Sequence, residues 1–468
     1  MKKLLGYSKI VFMAITLVIT ISCDDDENGN IIDPNNGMSN TVADFVINNP
    51  EYSSLSTALQ RIDMLAILAG NGSFTLFAPD NTAFDTFLNG TSLDAIDDET
   101  LLQLISNHLI GATLSSEQFT TNYVKSLAQE TATGSLIDLF IDTTNGLQLN
   151  GQSNVVMADI QTDNGIVHTV DAVIELPTLQ TFTTTNPDLS VLMDALTDEG
   201  NTTFTDILGD ADADITLFAP TNTAFDTFLN GTAIADVDNE ALTQIASNHF
   251  VTDTIAISFT LTNSYLNTLA TFQNDPSIPL SLYVNTDTGT TLNGTSNVTQ
   301  GDIVGINGVM HIVDAVIDVP DVTTFILADP TFSSFATSLI EDDSFEFIGT
   351  LQTSNDTVPA PFTVFPPTND AFTNLLTDLN ISELNEIPTA TLASTIELHI
   401  IPGTNIREDL FEVFHGTFLE TLGGNSVLID SMIPAIIDPD NNTNEIIATD
   451  IQAANGVLHI VNRVIRDL

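Results

Sequence analysis

NGIVHTVDAVI (Asn164–Ile174), NGVMHIVDAVI (Asn307–Ile317) and NGVLHIVNRVI (Asn455–Ile465) are one phrase written three times. About ninety residues upstream of each copy stands a second shared phrase: TLFAPDNTAF (Thr75–Phe84), TLFAPTNTAF (Thr216–Phe225) and TVFPPTNDAF (Thr363–Phe372). Two phrases recurring in fixed order at a period of about 140–150 residues mean tandem domains, because a unit of that length buries a core of its own. The chain divides into repeats over residues 40–177, 178–320 and 321–468, behind an N-terminal region of different character.

Each repeat opens with a short amphipathic stretch (Val42–Asn48, Gln180–Thr185, Val322–Ala328), closed by Asn49-Pro50, Asn186-Pro187 or Asp329-Pro330. A residue before proline resists the helical conformation. Helical stretches follow over Tyr52–Ala69, Leu189–Leu196 and Phe332–Ile340. In the upstream phrase Thr75-Leu76-Phe77 alternates as a strand that Pro79 ends, with Phe218 and Pro220, then Phe365 and Pro367, in the same places. Asp80, Thr221 and Thr368 suit the N-cap of the next helix. Phe84, Phe225 and Phe372 fall on its apolar stripe, and Asn81, Asn222 and Asn369 hold the strand-to-helix turn. Leu101–Leu109, Leu242–Phe250 and Leu392–Ile400 read as helices carrying His108, His249 and His399 on apolar faces.

The remainder reads as short strands, among them Leu136–Asp142, Leu147–Asn150 and Val155–Met157. The Asn-Gly steps that present Gly165, Gly308 and Gly456 are turn signals tolerant of positive φ. In the downstream phrase a period of two puts His168 on one face with Ile166 and Val170, and His311 with Val309 and Val313; His459 holds the same place. A histidine among aliphatic residues on a strand reads as a buried, hydrogen-bonded neutral imidazole. Asp159, Asp302 and Asp450, each nine residues upstream, are the candidate partners.

Taken together, the phrases resemble the two boxes of the fasciclin-like (FAS1) domain, F-A-P-T-N-x-A-F near its start and N-G-x-x-H-x-x-D near its end. The resemblance extends over residues 40–468. It implies a mixed α and β (α+β) fold in which each repeat is a β-sandwich or wedge of about seven strands with several packed helices, and it implies a role in adhesion. In this family a Tyr-His pair at the first histidine is proposed to touch animal integrins. Here Asn107, Asn248 and Leu398 stand in the tyrosine's place, so only the histidine matches.

The N-terminal region reads as an export signal over residues 1–22: Lys2, Lys3 and Lys9, then an apolar run from Ile10 to Ile21 too short to span a bilayer comfortably. Cys23, the only cysteine, follows directly and looks like the acylated cysteine of a bacterial lipoprotein. Residues 23–39, opening with Asp24-Asp25-Asp26-Glu27, form a flexible acidic tether that resembles the surface-export signal of Bacteroidetes lipoproteins. The expectation is an outer-membrane lipoprotein displayed outward, its membrane contact limited to the lipid.

Eight basic residues face 62 acidic ones. Removal of the signal leaves a formal balance of 5 − 62 = −57, which repels nucleic acid and suits at most weak divalent-cation bridging. No zinc-protease, nucleophile-elbow or P-loop motif occurs, and no cofactor is expected. Asp210, Asp212 and Asp214, and again Asp438, Asp440, Asn442 and Asn444, read either as solvated loops or as weak calcium loops without the EF-hand glycine and glutamate.

The expected function is therefore binding, not catalysis: adhesion to an unidentified protein or polysaccharide on cells, matrix or biofilm through weak multivalent contacts. Glycan capture is the alternative, with Tyr123, Tyr265 and Tyr283 as sugar platforms in a chain without tryptophan. The connectors Leu176–Thr178 and Val319–Asp321 allow limited bending, and the loops Gln352–Pro361 and Asp438–Glu445 mark the third repeat as distinct.

Overall fold

A computed structural model describes residues 40–467; the export signal, Cys23 and the tether fall outside the described residues. In the first repeat the helices are α1 (Val42–Asn48), α2 (Ser53–Arg61), α3 (Met64–Leu68), α4 (Asn81–Leu88) and α5 (Asp98–Ser106). The strands are β1 (Phe74–Pro79), β2 (Leu109–Ile110), β3 (Asn122–Gln129), β4 (Leu136–Asp142), β5 (Gln148–Leu149), β6 (Ser153–Thr162) and β7 (Gly165–Val170). They form one seven-stranded sheet in the order β2-β1-β7-β6-β5-β4-β3, and the other two repeats reproduce that order. The fold is mixed α+β, three times over.

β1 and β7 are the two repeated phrases, and they lie side by side as the sheet's one parallel pair, with Phe74 opposite Gly165 and Phe77 opposite His168. All of β7 is buried, as expected for a strand covered on both faces. On one face Leu76, Ala78 and Val167 pack against Val42, Leu55, Phe84, Leu101 and Leu104 of the helices. On the other, Phe77 and Val170 meet Leu139, Ile141 and Leu149, because the sheet curls back on itself into a wedge.

Close approach explains the repeated glycine. A Cβ on Gly165, Gly308 or Gly456 would collide with the backbone carbonyl of Phe74, Ile215 or Phe362. The Asn-Gly step does stand at the hairpin turn between β6 and β7, as expected, but the three asparagines have ordinary negative φ, and the glycine, at φ 153° in Gly308, begins the strand. The asparagine in that turn is also a clamp. Asn307 Oδ1 accepts from Leu179 N at the entry of its repeat (2.9 Å), while Nδ2 donates to Leu208 O and Asp210 O, both at 2.9 Å. Asn164 and Asn455 bond the equivalent groups.

Other boundaries also moved. The helix expected over Leu101–Leu109 stops at Ser106, and its counterparts at Ser247 and Glu397. Leu109 and Ile110 pair with Leu76 and Thr75, so sheet formation overrides helical periodicity and leaves His108 between the two elements. The stretch Tyr52–Ala69 is split by Asp63 in the left-handed region (φ 59°). In the third repeat Pro366, standing where the others have Ala78 and Ala219, removes a strand donor beyond the one the shared proline already removes, and the counterpart of β1 shortens to Phe362–Val364.

The junctions between repeats share one design. At the first, Tyr123 on β3 packs edge-on against Phe182 and accepts from Asn186 Nδ2 (3.0 Å). At the second, Tyr265 packs edge-on against Phe325 and donates to Asp329 Oδ2 (2.9 Å). Beside each tyrosine a side chain of the leading repeat accepts from the next repeat's backbone: Asp138 Oδ2 from Val304 N (2.7 Å), Ser281 Oγ from Gln452 N (3.0 Å). The connectors are tied back as well, with Ile306 N donating to Pro177 O and Ala454 N to Pro320 O, each at 2.8 Å. The limited bending expected of the connectors is thus opposed by bonds on both sides of the chain.

An Asn307→Ala chain leaves one amide and two carbonyls of the second repeat without partners. The expected outcome is a loss on the order of 3 kcal/mol in that repeat, read as a lowered urea midpoint for its unfolding phase.

Candidate functional site

The residues singled out in the sequence converge on two buried clusters per repeat. In the first, His168 stacks on Phe77 with ring centroids 5.6 Å apart, as His311 does on Phe218 (5.4 Å) and His459 on Phe365 (5.7 Å). Each ring is sealed from solvent and bonded through both nitrogens. Nε2–H of His168 donates to Leu114 O (3.0 Å) and Nδ1 accepts from Asp159 N (3.2 Å). His311 bonds Ala256 O and Asp302 N, and His459 bonds Ile406 O and Asp450 N.

The aspartate does meet the histidine as expected, and it does so through its amide and not its carboxylate. Asp159, Asp302 and Asp450 occupy bulges in β6 and its counterparts at φ 63°, 59° and 61°, a conformation that aspartate tolerates better than most residues. Their carboxylates turn away to accept from Ser116 N (2.8 Å), Ser258 N (2.7 Å) and Glu408 N (2.9 Å). The spacing of nine residues was a signal of contact, not of the atoms making it.

In the second cluster His108, His249 and His399 fasten the end of α5 and its counterparts to the chain's exit from the repeat. Nδ1–H donates to Leu104 O, Ile245 O or Thr395 O at 2.8 Å, and Nε2 accepts from Ile174 N, Ile317 N or Ile465 N at 2.9 Å. Burial drives their pKa down to about 4, as it does for His459. Asp80, Thr221 and Thr368 cap the following helices as expected. Asn81, Asn222 and Asn369 reach further than expected, accepting from Ser54 N, Val191 N and Ser334 N at 2.9 Å and so joining that turn to the second helix of each repeat. Phe84, Phe225 and Phe372 lie in the helical cores, and Pro79 and Pro220 end their strands.

This geometry, a parallel pair of boxes closed over a stacked Phe-His couple, recurs in all three repeats. The Fasciclin domain model matches residues 50–177, 187–320 and 330–467. The chain belongs to the Fasciclin family. It is 26% identical over 473 aligned residues to human periostin, covering 96% of this chain and 51% of periostin. It is 24% identical over 440 to transforming growth factor-beta-induced protein ig-h3 of Sus scrofa, covering 92% of this chain and 58% of that protein. The chain thus spans between half and three-fifths of the length of these relatives. A solved FAS1 domain pair from the insect cell adhesion molecule fasciclin I aligns over 58% of this chain and 94% of its own, at 17% identity and a TM-score of 0.35.

The tyrosines assigned to a sugar platform are elsewhere. Tyr123 and Tyr265 are spent in the junctions, and Tyr283 packs 5.0 Å from Tyr265 and is itself buried; burial raises the pKa of all three. Their role was missed in the sequence, although Tyr123 and Tyr265 stand at matching places in their repeats. The acidic loops largely bond themselves. Asp438 Oδ1 accepts from Asn442 N (2.7 Å) and Asp210 Oδ1 from Asp212 N (3.1 Å). Among the described residues no group of three or more His, Cys, Asp and Glu is placed to hold a metal, and no helix is long and apolar enough to cross a membrane.

Two outcomes are expected. His108, His249, His399 and His459 are neutral when folded and protonate freely at about 6.5 when unfolded. Their stabilising contribution is therefore complete above pH 6.5 and is lost as pH falls toward 4. Histidine NMR titration should show these four rings neutral down to about pH 4, and titration of any one of the four near 6.5 in the folded chain would contradict the assignment. Separately, Tyr265→Ala should loosen the second junction, raising the maximum dimension in small-angle scattering while each repeat keeps its unfolding midpoint.

Proposed function

We propose that the protein is a surface-displayed adhesion lipoprotein, anchored through Cys23, whose three Fasciclin domains bind a protein or polysaccharide on cells, matrix or biofilm by binding alone, without catalysis. One observation carries the reading: all six repeated histidines have both ring nitrogens bonded to backbone groups inside the domain. The repeated chemistry is consumed in holding the fold. Recognition falls to surfaces that the repeats do not share, such as the third repeat's loop around Val358 and the segment carrying Met432 and Ile433, all exposed.

A row of three modules on a tether multiplies weak contacts, since each bound module raises the effective concentration of the next. The acidic surface disfavours nucleic acid and anionic lipid, and it leaves the lipid as the membrane contact, with divalent ions as weak bridges between carboxylates. Export ahead of Cys23 and the acidic run behind it favour the outer membrane, facing outward.

Three measurements test this in the source cells. Metabolic labelling with an alkyne fatty acid should tag the wild-type chain and not Cys23→Ala. Protease added to intact cells should degrade the chain, and full protection would refute outward display. Deletion of the gene should reduce attachment or biofilm mass, with recovery on complementation; unchanged attachment on cell, matrix and polysaccharide surfaces would refute the adhesive role.

A further inference from the structure

The junction that joins the repeats is used twice, and its two halves recur at the two ends of the described row without an opposite half among the described residues. Its receiving half is an aromatic on the first helix of a repeat with the strand before the second box. Where a repeat precedes, these groups are covered: Phe182 and Phe325 are 0% exposed, Ile303 1% and Ile451 4%. In the first repeat the same positions hold Phe45 and Ile160, both only partly buried, beside Met157 at 58% exposure. Met157 stands where Gln300 bonds Asn122 of the preceding repeat (3.0 Å).

The offering half is the aromatic that opens β3 together with its partner on β4. Tyr123 lies opposite Phe140, and Tyr265 opposite Tyr283. In the third repeat Phe418 lies opposite Leu428, and Ser426 occupies the place of Ser281 in the strand that follows. Phe140 and Tyr283 are buried, but Leu428 is only half-buried and Phe418 is 73% exposed.

We propose that these ends pair between molecules, the third repeat of one chain seating Phe418 on Phe45 and Ile160 of a second copy. The occupant is a second copy because the surface is the continuation of an interface this chain already makes twice with itself. Such a contact is heterologous: each added copy presents a fresh free end, so the assembly is an open row and not a closed dimer. Its strength depends on salt. Lys125, which at the first junction donates to Asp302 O (2.7 Å), is replaced in the third repeat by Glu420, and Asp302 corresponds to Asp159 in the first. Glu420 would there face the backbone carbonyl of Asp159, on chains of the same strong negative charge, so screening by salt favours contact. This self-association goes beyond the adhesive reading and does not require it.

Residues 24–468 contain every described element and suffice for the test, which is sedimentation velocity across a concentration series at low and high ionic strength. The expected result is a sedimentation coefficient that rises with concentration, and more so at high salt. Phe418→Asp, at an exposed position, should weaken association by about tenfold or more with an unchanged unfolding midpoint, and Glu420→Lys should strengthen it and reduce its salt dependence. Thr417→Cys chains mixed with Met157→Cys chains should yield dimers with a short bis-maleimide, while neither variant does so alone. A monomer at every concentration and salt, association indifferent to Phe418→Asp, or crosslinking of Thr417→Cys to itself would each overturn the proposal.

Discussion

Everything in a repeat depends on bringing two strands some ninety residues apart into parallel contact. A parallel pair cannot be closed by a tight turn, so the helices and the remaining strands must be completed between its two members. The contact is sterically exacting, because only glycine lets β7 approach the carbonyl of Phe74. It is also chemically sealed, since the stacked Phe77 and His168 leave no ring nitrogen unpaired. Burial of an imidazole is tolerable when both nitrogens are satisfied and the ring stays neutral. The pKa depression of the buried histidines is the electrostatic expression of that packing.

Much of this was legible in the sequence, and for physical reasons. Periodicity located α1 and β4 to the residue, because burial on one side imprints a regular pattern. Capping by Asp80 and Thr221 followed from side-chain chemistry acting over three residues. What failed were features decided over long range. The helix through His108 was read three residues too long because pairing of β2 with β1 lies outside any local window. The Asn-Gly step was legible as a turn, but not the clamp by which its asparagine holds elements nearly a hundred residues away. Tyr123 and Tyr265 looked like free aromatics because nothing in one repeat's sequence reveals what the next repeat covers.

The two junctions solve one problem with different chemistry. At the first, Asp138 is nearly sealed, and burial pushes its carboxyl above the ordinary range against the pull of Lys125, 2.6 Å away. A charge pair with one sealed and one exposed partner gains little net stability, so its contribution lies in fixing register. At the second, Ser281 accepts the equivalent backbone amide without any charge. The aromatic packing is common to both, and it is the part that the electrostatic variation leaves untouched.

The asparagine clamp also decides how the row bears a pull. The chain enters the first repeat at Val42 and leaves near Ile174, and Asn164, at the head of β7, bonds the entry point directly. Tension along the row therefore passes from entry to exit through Asn164 and β7, with His108 pinning the exit. The helices and the outer strands hang beside that path as unloaded mass. The wedges thus act as links, each passing the load straight from its entry to its exit.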